Sequence, residues 1–344
     1  STGCTCDKHV CDYCMQQEAE PACSTQEDAR PEMGPGKTAN ETFTEAPLKE
    51  VTLGPRLDEP KNKAMKERLL NSMWEKRHLW SKPDFTGGGP PHDVKCKIDL
   101  TGTFTHRARP RSVSPQVREE IKKQVDEQRR MGIIEPSTSP YASTILLVPK
   151  ADGTSRFCIN YRPLNAITKK DGYLMPRVDE SLSSLRGSKF FSSMDLASAF
   201  WQIPMDEESK PLTAFVEPGG TWQYKNMPFG LINGPATFSR FIDKVLAGLK
   251  WRTCLIYMDD VLVHTATLEE QVDALEEIFQ RIDDYGLRFK AKKCFICVDQ
   301  VQFLGHVVGT DGISSDPSKV KAIKEMPFPP NKEKMKSALG LFSY

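Results

Sequence analysis

The segment that decides the fold is Cys254-Leu255-Ile256-Tyr257-Met258-Asp259-Asp260-Val261-Leu262-Val263. Two short apolar runs, each suited to a buried strand, enclose a Tyr-Met pair and two adjacent acids. This pattern predicts a strand, a tight turn and a second strand, with both carboxylates presented at the turn. Because two neighbouring carboxylates repel each other, the hairpin also predicts a cation close by.

A third carboxylate, Asp195, lies in another strand-like run that covers residues 190–196. Three carboxylates on neighbouring strands supply the hard oxygen ligands that Mg²⁺ prefers, together with substrate phosphates and water. Two such ions, roughly 3.5–4 Å apart, activate an attacking hydroxyl and stabilise a leaving phosphate. The alternative is that Asp259 and Asp260 only supply turn chemistry. The flanking apolar runs and the distant Asp195 make that alternative the weaker one.

From Lys95 onward the chain has the patterns of a mixed α/β domain. Three segments carry a helix start followed by apolar residues at helical spacing, and they begin at Ser114-Pro115, Pro235 and Thr267. The first of these helices has its apolar stripe at Val117, Ile121 and Val125. Strands are predicted over residues 143–148, 157–159, 190–196 and 301–308.

The first 94 residues differ in composition from the rest. Residues 1–60 contain five basic and twelve acidic side chains, a net charge of −7. Residues 18–60 are rich in Pro, Gly, Ser, Thr and Glu, and they bury too little apolar surface to offset their ordering entropy. A short amphipathic helix is predicted where Met65, Leu69, Leu70 and Met73 recur. We therefore predict an acidic, Cys-rich and largely disordered extension over residues 1–94.

The overall composition, 38% hydrophobic and 27% charged in 344 residues, supports a packed core. No run of 18 apolar residues and no apolar signal core occur, so neither a membrane span nor a secretory leader is expected. Residues 101–170 contain thirteen basic and six acidic side chains. That net charge of +7 favours a surface that meets a polyanion, and ordinary solvated faces are the alternative.

Ten cysteines without a secretory leader indicate free thiols or metal ligands rather than a disulfide framework. Cys4, Cys6, Cys11, Cys14 and Cys23 cluster near the N-terminus, but their spacing matches no established zinc pattern. We expect unliganded thiols there, with Zn²⁺ binding as the lesser alternative.

Many motifs, in a fixed order, resemble those of reverse transcriptases, specifically the Ty3/gypsy class of LTR retrotransposon Pol polyproteins. The resemblance covers roughly residues 95–344. Its motifs are Gly132-Ile133-Ile134-Glu135-Pro136-Ser137, Ser139-Pro140-Tyr141-Ala142-Ser143, Arg156-Phe157-Cys158-Ile159-Asn160-Tyr161-Arg162-Pro163-Leu164-Asn165, Asp195-Leu196, Met227-Pro228-Phe229-Gly230-Leu231, Tyr257-Met258-Asp259-Asp260 and Phe303-Leu304-Gly305-His306. A Tyr-Met-Asp-Asp match alone is weak, whereas the ordered series is specific.

The resemblance implies an α+β fold, the fingers and palm of a right-hand polymerase, with a ferredoxin-like antiparallel palm sheet and packed helices. Residues 95–130 would lead into the fingers, residues 131–309 would form fingers and palm, and residues 310–344 would begin a thumb or connection segment, present in part. The family's ribonuclease H, integrase and protease domains are expected to be absent from this chain.

The implied activity is RNA-directed DNA polymerisation, in which a primer 3′-hydroxyl attacks the α-phosphate of a dNTP. Asp195, Asp259 and Asp260 would be the catalytic acids. The first two would hold two Mg²⁺ ions, for which Mn²⁺ is a substitute, with help from Asp260 and the carbonyl of Leu196. The family's primer grip would comprise Phe303, Leu304 and Gly305.

The resemblance also assigns nucleotide binding. Lys150 and Arg156 flank a predicted turn at the fingers tip and would clamp a triphosphate; a solvated basic loop is the alternative. Phe200 would lie beside the sugar and exclude a 2′-hydroxyl; an ordinary core Phe is the alternative. The full dNTP-binding set is Lys150, Arg156, Ser198, Ala199, Phe200, Phe229 and Gly230. Gly234 departs from the family, since relatives usually carry Ala there.

The implied partners are an RNA or DNA template with its primer, dNTPs and the remaining Pol domains, with no membrane. The implied location is a cytoplasmic virus-like particle with a nuclear phase. Two rival hypotheses stay open: a decayed or host-captured copy that binds nucleic acid without catalysis, and an RNA-directed RNA polymerase, which Phe200 and the Tyr-Met-Asp-Asp box disfavour.

Overall fold

The computed structural model describes residues 47–86, 92–110, 112–149, 155–174 and 176–315, with residues 331–333, 335, 336 and 339 beyond them. The cysteine cluster, most of the acidic N-terminal stretch and Lys150 lie outside the described residues. So does most of the predicted thumb or connection segment.

Up to residue 315 the α-helices are α1 (Lys63–Glu75), α2 (Pro115–Arg130), α3 (Arg162–Ile167), α4 (Val178–Ser183), α5 (Gly234–Val245) and α6 (Leu268–Asp284). The strands are β1 (Thr52–Leu53), β2 (Ile134–Pro136), β3 (Ser143–Pro149), β4 (Ser155–Ile159), β5 (Phe190–Asp195), β6 (Phe215–Glu217), β7 (Gly220–Tyr224), β8 (Cys254–Tyr257), β9 (Asp260–Thr265), β10 (Phe295–Val298), β11 (Gln300–Phe303), β12 (His306–Gly309) and β13 (Gly312–Ser315).

One five-stranded sheet, with the order β1-β10-β5-β9-β8, carries all three acids and is called the palm sheet below. Its β10, β5, β9 and β8 are mutually antiparallel. In chain order they follow the pattern β5-α5-β8-β9-α6-β10, with β6 and β7 of the other five-stranded sheet inserted after β5. A βαββαβ unit with the spatial order fourth, first, third, second is ferredoxin-like, as the family resemblance implied.

Both faces of the palm sheet are covered. Helices α5 and α6 pack on one face through apolar stripes that the sequence shows, including Phe238, Ile242, Val272 and Phe279, all fully buried. The other face packs against the β11–β12 hairpin, in a smaller cluster that includes Phe191, Leu262 and Phe303. The sheet is therefore held rigidly from both sides.

A second five-stranded sheet, with the order β2-β7-β6-β3-β4, forms the fingers sheet. Helix α2 packs beside it, and its Gln128 accepts a hydrogen bond from the buried Tyr224 hydroxyl at 3.0 Å. The helix starts as predicted, because the Ser114 side chain accepts a hydrogen bond from the backbone of Val117.

The N-terminal strap, residues 48–81, is folded. It corrects the prediction of disorder for residues 48–60 and confirms the predicted amphipathic helix as α1. Strand β1 pairs in parallel with β10 at the edge of the palm sheet. Gly54 approaches so closely that a Cβ there would lie 1.9 Å from the Cys297 carbonyl oxygen. Helix α1 packs on α6, with Arg68 paired to Asp273 and Glu276. The strap is part of the folded domain, since its apolar residues are buried against the palm.

The other predicted elements agree with the structure except at two points. Val117 is 36% exposed, so the apolar stripe of α2 consists of Ile121 and Val125 without it. The predicted strand over residues 301–308 is a hairpin of β11 and β12, which turns at Leu304 and Gly305, both with positive φ. The capping box of Thr267 and Glu270 begins α6 as predicted.

Among the described residues, no helix combines the length and apolar character needed to cross a membrane.

Replacing Trp80 in the strap with Ala should lower the free energy of unfolding by about 3–5 kcal/mol. Trp80 is 3% exposed, and its ring lies 5.1 Å from Phe279 and 5.7 Å from Phe289. The matched control is Trp251→Ala, because Trp251 is 43% exposed and its loss should cost below about 1 kcal/mol. Urea unfolding measures both, and equal midpoints for the two variants would show that the strap does not stabilise the domain.

Candidate active site

The β8–β9 hairpin has a strained two-residue turn. Tyr257 pairs with Asp260, which leaves Met258 and Asp259 as the turn residues. Met258 has a φ of +56°, a left-handed conformation that such turns require and that glycine usually supplies. Strain of this kind persists only where surrounding structure imposes it, and it is concentrated at functional sites.

Strand register brings Asp195 next to this turn. Asp195, the last residue of β5, lies directly opposite Asp260, the first residue of β9. Side chains in such a cross-strand pair have Cβ atoms about 4.5–5.5 Å apart. The backbone of the following residue, Leu196, donates a hydrogen bond to the Asp259 carbonyl at 3.3 Å. The structure thus brings the three predicted acids together at one end of the palm sheet.

The electrostatics of the three acids are unfavourable without a cation. Burial, together with the negative charges of Asp259 and Asp195, raises the pKa of Asp260 to about 7. Burial also raises the pKa of Asp259, and the charge of Asp195 adds to this effect. The site therefore favours binding of positive charge, whether protons or cations.

A lysine that the sequence analysis did not single out lies at this site. Lys293 donates a hydrogen bond from Nζ to Asp195 Oδ2 at 2.7 Å, although 98 residues separate the two in the chain. Its side chain is 42% exposed. Arg288, Lys290, Lys292 and Lys293 form a cationic run that precedes β10, and this run was the available sequence signal.

The donor atoms of the site suit a hard divalent cation. Carboxylate oxygens are the ligands that Mg²⁺ prefers. The mutual repulsion of the three carboxylates also favours binding of a cation between them. The described residues contain no ready-made group of three His, Cys, Asp or Glu for metal binding. Lys293 Nζ lies 2.7 Å from Asp195 Oδ2, so a cation bound directly by this oxygen would compete with the lysine.

The loop after Asp195 carries three of the predicted nucleotide-binding residues. Ser198 has a φ of +46°, and Ala199 and Phe200 open a short 3₁₀ helix, Ala199–Gln202. Phe200 is only 3% exposed and stacks on Phe229, with ring centroids 5.2 Å apart. Phe229 precedes the exposed Gly230, whose φ of +94° disfavours any residue with a side chain.

The remaining predicted residues lie on other elements. Arg156 is half-buried on β4, opposite Val148 of β3, in the fingers sheet. Phe303 is buried at the end of β11, and Leu304 and Gly305 form the turn to β12. Leu304 and Tyr257 pack against the same apolar cluster, which couples the β11–β12 hairpin to the acidic turn.

The family model and the similar proteins all point to the same family. Residues 148–308 match the family described as reverse transcriptase (RNA-dependent DNA polymerase). The chain is 40% identical to the retrovirus-related Pol polyprotein from transposon 297 of Drosophila melanogaster, over 65% of this chain and 22% of that protein. It is 34% identical to the corresponding polyprotein from transposon opus of the same organism, over 81% of this chain and 28% of that protein. The chain thus spans less than a third of the length of either relative.

The fold also has a solved counterpart. The foamy viral protease-reverse transcriptase, in a structure with an RNA/DNA hybrid, is similar with a TM-score of 0.73 and 24% identity. The match covers 82% of this chain and 38% of that one. This likeness confirms the predicted α+β fold.

Replacing Asp260 with Asn should stabilise the protein at alkaline pH when a chelator removes divalent cations. The pKa of Asp260 in the folded state, about 7, lies above its ordinary value of 3.8. The raised pKa means that protonated Asp260 stabilises the folded state fully at a pH below 3.8, and that this stabilisation is lost as the pH rises through about 7. Relative to wild type, the variant should gain on the order of 2 kcal/mol in unfolding free energy between pH 5 and pH 8. Urea unfolding at both pH values measures this gain, and a pH-independent difference would contradict the raised pKa.

Proposed function

Because residues 148–308 belong to the reverse transcriptase family, as their motifs predicted, we propose that the protein is an RNA-directed DNA polymerase. In the reaction, the primer 3′-hydroxyl loses its proton and its oxygen forms a bond to the α-phosphorus of a dNTP. The bond from that phosphorus to the pyrophosphate oxygen breaks, and pyrophosphate leaves. The observation that carries the proposal is the cross-strand pairing of Asp195 with Asp260 beside the strained turn that holds Asp259.

The proposal includes a divalent-cation site. Asp195, Asp259 and the Leu196 carbonyl would hold Mg²⁺ or Mn²⁺, and Asp260 would shape the site beside them. When bound, the cations lower the pKa of the attacking hydroxyl and stabilise the leaving pyrophosphate. The chain's own contribution is to hold three carboxylates at fixed positions, which the pairing of β5, β9 and β8 supports.

The proposal assigns the incoming dNTP to the surface between palm and fingers. Phe200 would limit the space at the sugar 2′ position, supported by its stack on Phe229. Backbone near Gly230 would approach the base, and Lys150 and Arg156 would bind the triphosphate. The turn of Phe303, Leu304 and Gly305 would hold the primer strand.

The template-primer assignment follows the solved counterpart, which is in complex with an RNA/DNA hybrid. We also propose that this chain is part of a longer retrotransposon polyprotein, which is supported by the two Drosophila polyproteins that it resembles. The proposed location stays the one that the sequence resemblance implied, a cytoplasmic virus-like particle with a nuclear phase. The remaining Pol domains would then be its covalent or assembled partners.

Replacing Asp259 with Asn should reduce primer extension on poly(rA)/oligo(dT) by about 100-fold or more, since the variant loses a proposed cation ligand that stabilises charge in the transition state. The matched control is Asp273→Asn on α6, because Asp273 is an exposed acid that pairs with Arg68 of α1 and has no proposed role in the site. This control should retain wild-type extension.

The outcome also decides between the hypotheses. Equal incorporation by wild type and Asp259→Asn would refute the assignment of the acids. Salt-sensitive binding of template-primer without extension by the wild type would favour a nucleic-acid-binding copy that lacks catalysis.

Replacing Phe200 with Ala should raise the use of rNTPs relative to dNTPs by about 10-fold or more, a ratio typical of losing one steric contact. Single-nucleotide incorporation with paired rNTP and dNTP substrates measures the ratio. Phe215→Ala is the control, because Phe215 is also buried but lies in the fingers sheet. It should lower stability and leave the ratio unchanged; the same ratio for both variants would show that Phe200 is an ordinary core residue.

A further inference from the structure

A buried amide lies behind the proposed cation site, and nothing above assigns it a role. Gln202, the last residue of the 3₁₀ helix after Asp195, is 5% exposed. Its Nε2 donates hydrogen bonds to the Ala197 carbonyl at 2.5 Å and to the Arg288 carbonyl at 3.1 Å. Its Oε1 accepts a hydrogen bond from the Arg288 backbone at 2.7 Å. The side chain thus bridges two backbone segments that are distant in the sequence.

These two segments form a short antiparallel ladder that ends at Asp195. Lys290 N–H donates to the Asp195 carbonyl at 2.8 Å, and Ala197 N–H donates to the Arg288 carbonyl at 2.9 Å. Leu196 and Phe289 are bridge partners between these two hydrogen bonds. The ladder cannot continue past Ala197, since Ser198 turns the backbone with a φ of +46°. The Gln202 amide therefore bonds the two backbone groups at the end of the ladder: it accepts from the Arg288 N–H and donates to the Ala197 carbonyl.

The ladder fixes the direction of one carbonyl. The peptide between Leu196 and Ala197 is planar and trans, so its C=O points opposite to its N–H. Because the Ala197 N–H points to Arg288, the Leu196 carbonyl points to the other side of the strand. The Leu196 N–H also points to that side, since it donates to the Asp259 carbonyl. The Leu196 carbonyl consequently faces the side of the acidic turn.

We propose that Gln202 is a positioning residue for the cation site: it holds the 195–197 backbone so that the Leu196 carbonyl faces Asp259. This inference rests on the proposed function, in which that carbonyl binds a divalent cation. Without the amide, the Arg288 N–H and the Ala197 carbonyl lose buried partners, and both groups must seek new ones. The loop would then relax, and the carbonyl would lose its fixed direction.

The test replaces Gln202 with Met, which has a similar shape and lacks the amide, in the full chain. The matched control is Gln271→Met. Gln271 is fully buried under the same sheet and bonds Ser192 and Thr265. Its loss should reduce stability without moving the 195–197 backbone. Gln202→Asn, which stays polar but is too short to bridge, serves as a second variant if Gln202→Met does not fold.

The first readout is Mn²⁺ binding, measured by calorimetry on the complex with a dideoxy-terminated primer, template and dNTP, so that no turnover is needed. The second is the Mg²⁺ concentration for half-maximal primer extension. Both Gln202 variants should weaken Mn²⁺ binding at least 10-fold and raise the half-maximal Mg²⁺ concentration by a similar factor. High Mg²⁺ should restore much of the rate. Gln271→Met should stay within twofold of wild type in both readouts.

Two results would overturn the inference: wild-type Mn²⁺ binding in a folded Gln202 variant, or equal weakening in Gln271→Met. Failure of the proposed function gives a different pattern, in which wild type does not extend a primer at any Mg²⁺ concentration. Mn²⁺ binding then still decides whether Gln202 positions the site.

Discussion

The repulsion between three carboxylates at one end of the palm sheet is the constraint on which the rest of the structure depends. Asp195 lies opposite Asp260 in the β5–β9 register, and the Met258–Asp259 turn keeps the third acid beside them. A free chain would separate such charges, so the fold must hold them together. It does so with two packed faces, the helices α5 and α6 on one side and the β11–β12 hairpin on the other.

One short segment, residues 287–290, contacts the N-terminal strap, Gln202 and the backbone of Asp195. The N-terminal strap holds it from one direction, since Phe289 N–H donates to the Leu79 carbonyl and Trp80 packs on the Phe289 ring. Gln202 holds it from the other, and the backbone of Lys290 in turn bonds the Asp195 carbonyl. Residues 287–290 have no proposed chemical role, and they connect the packed strap to the backbone of the acidic site.

The sequence predicted those parts of the fold that depend on local patterns. The helices α5 and α6 carry dense apolar periodicity, and α2 and α6 begin with side-chain caps. The Asp259–Asp260 hairpin carries two apolar runs around a polar turn. The helix α1 of the strap was predicted from its apolar spacing. The first part of the strap, residues 48–60, was missed because residues such as Leu48 and Leu57 are isolated among polar neighbours and become buried only against the distant palm. The Lys293–Asp195 pair and the Gln202 bridge were missed for a related reason: they join residues 98 and 86 positions apart, and no local spacing shows them.

The most direct test of the proposed cation site is a crystal structure of the full chain with template-primer, a non-hydrolysable dNTP and Mg²⁺. Asp195 and Asp259 should each coordinate an ion near the α-phosphate, and Lys293 Nζ should have left Asp195 Oδ2. Ions bound elsewhere, with the Lys293–Asp195 pair still closed against a correctly placed primer end, would contradict the assignment of these acids to nucleotide addition.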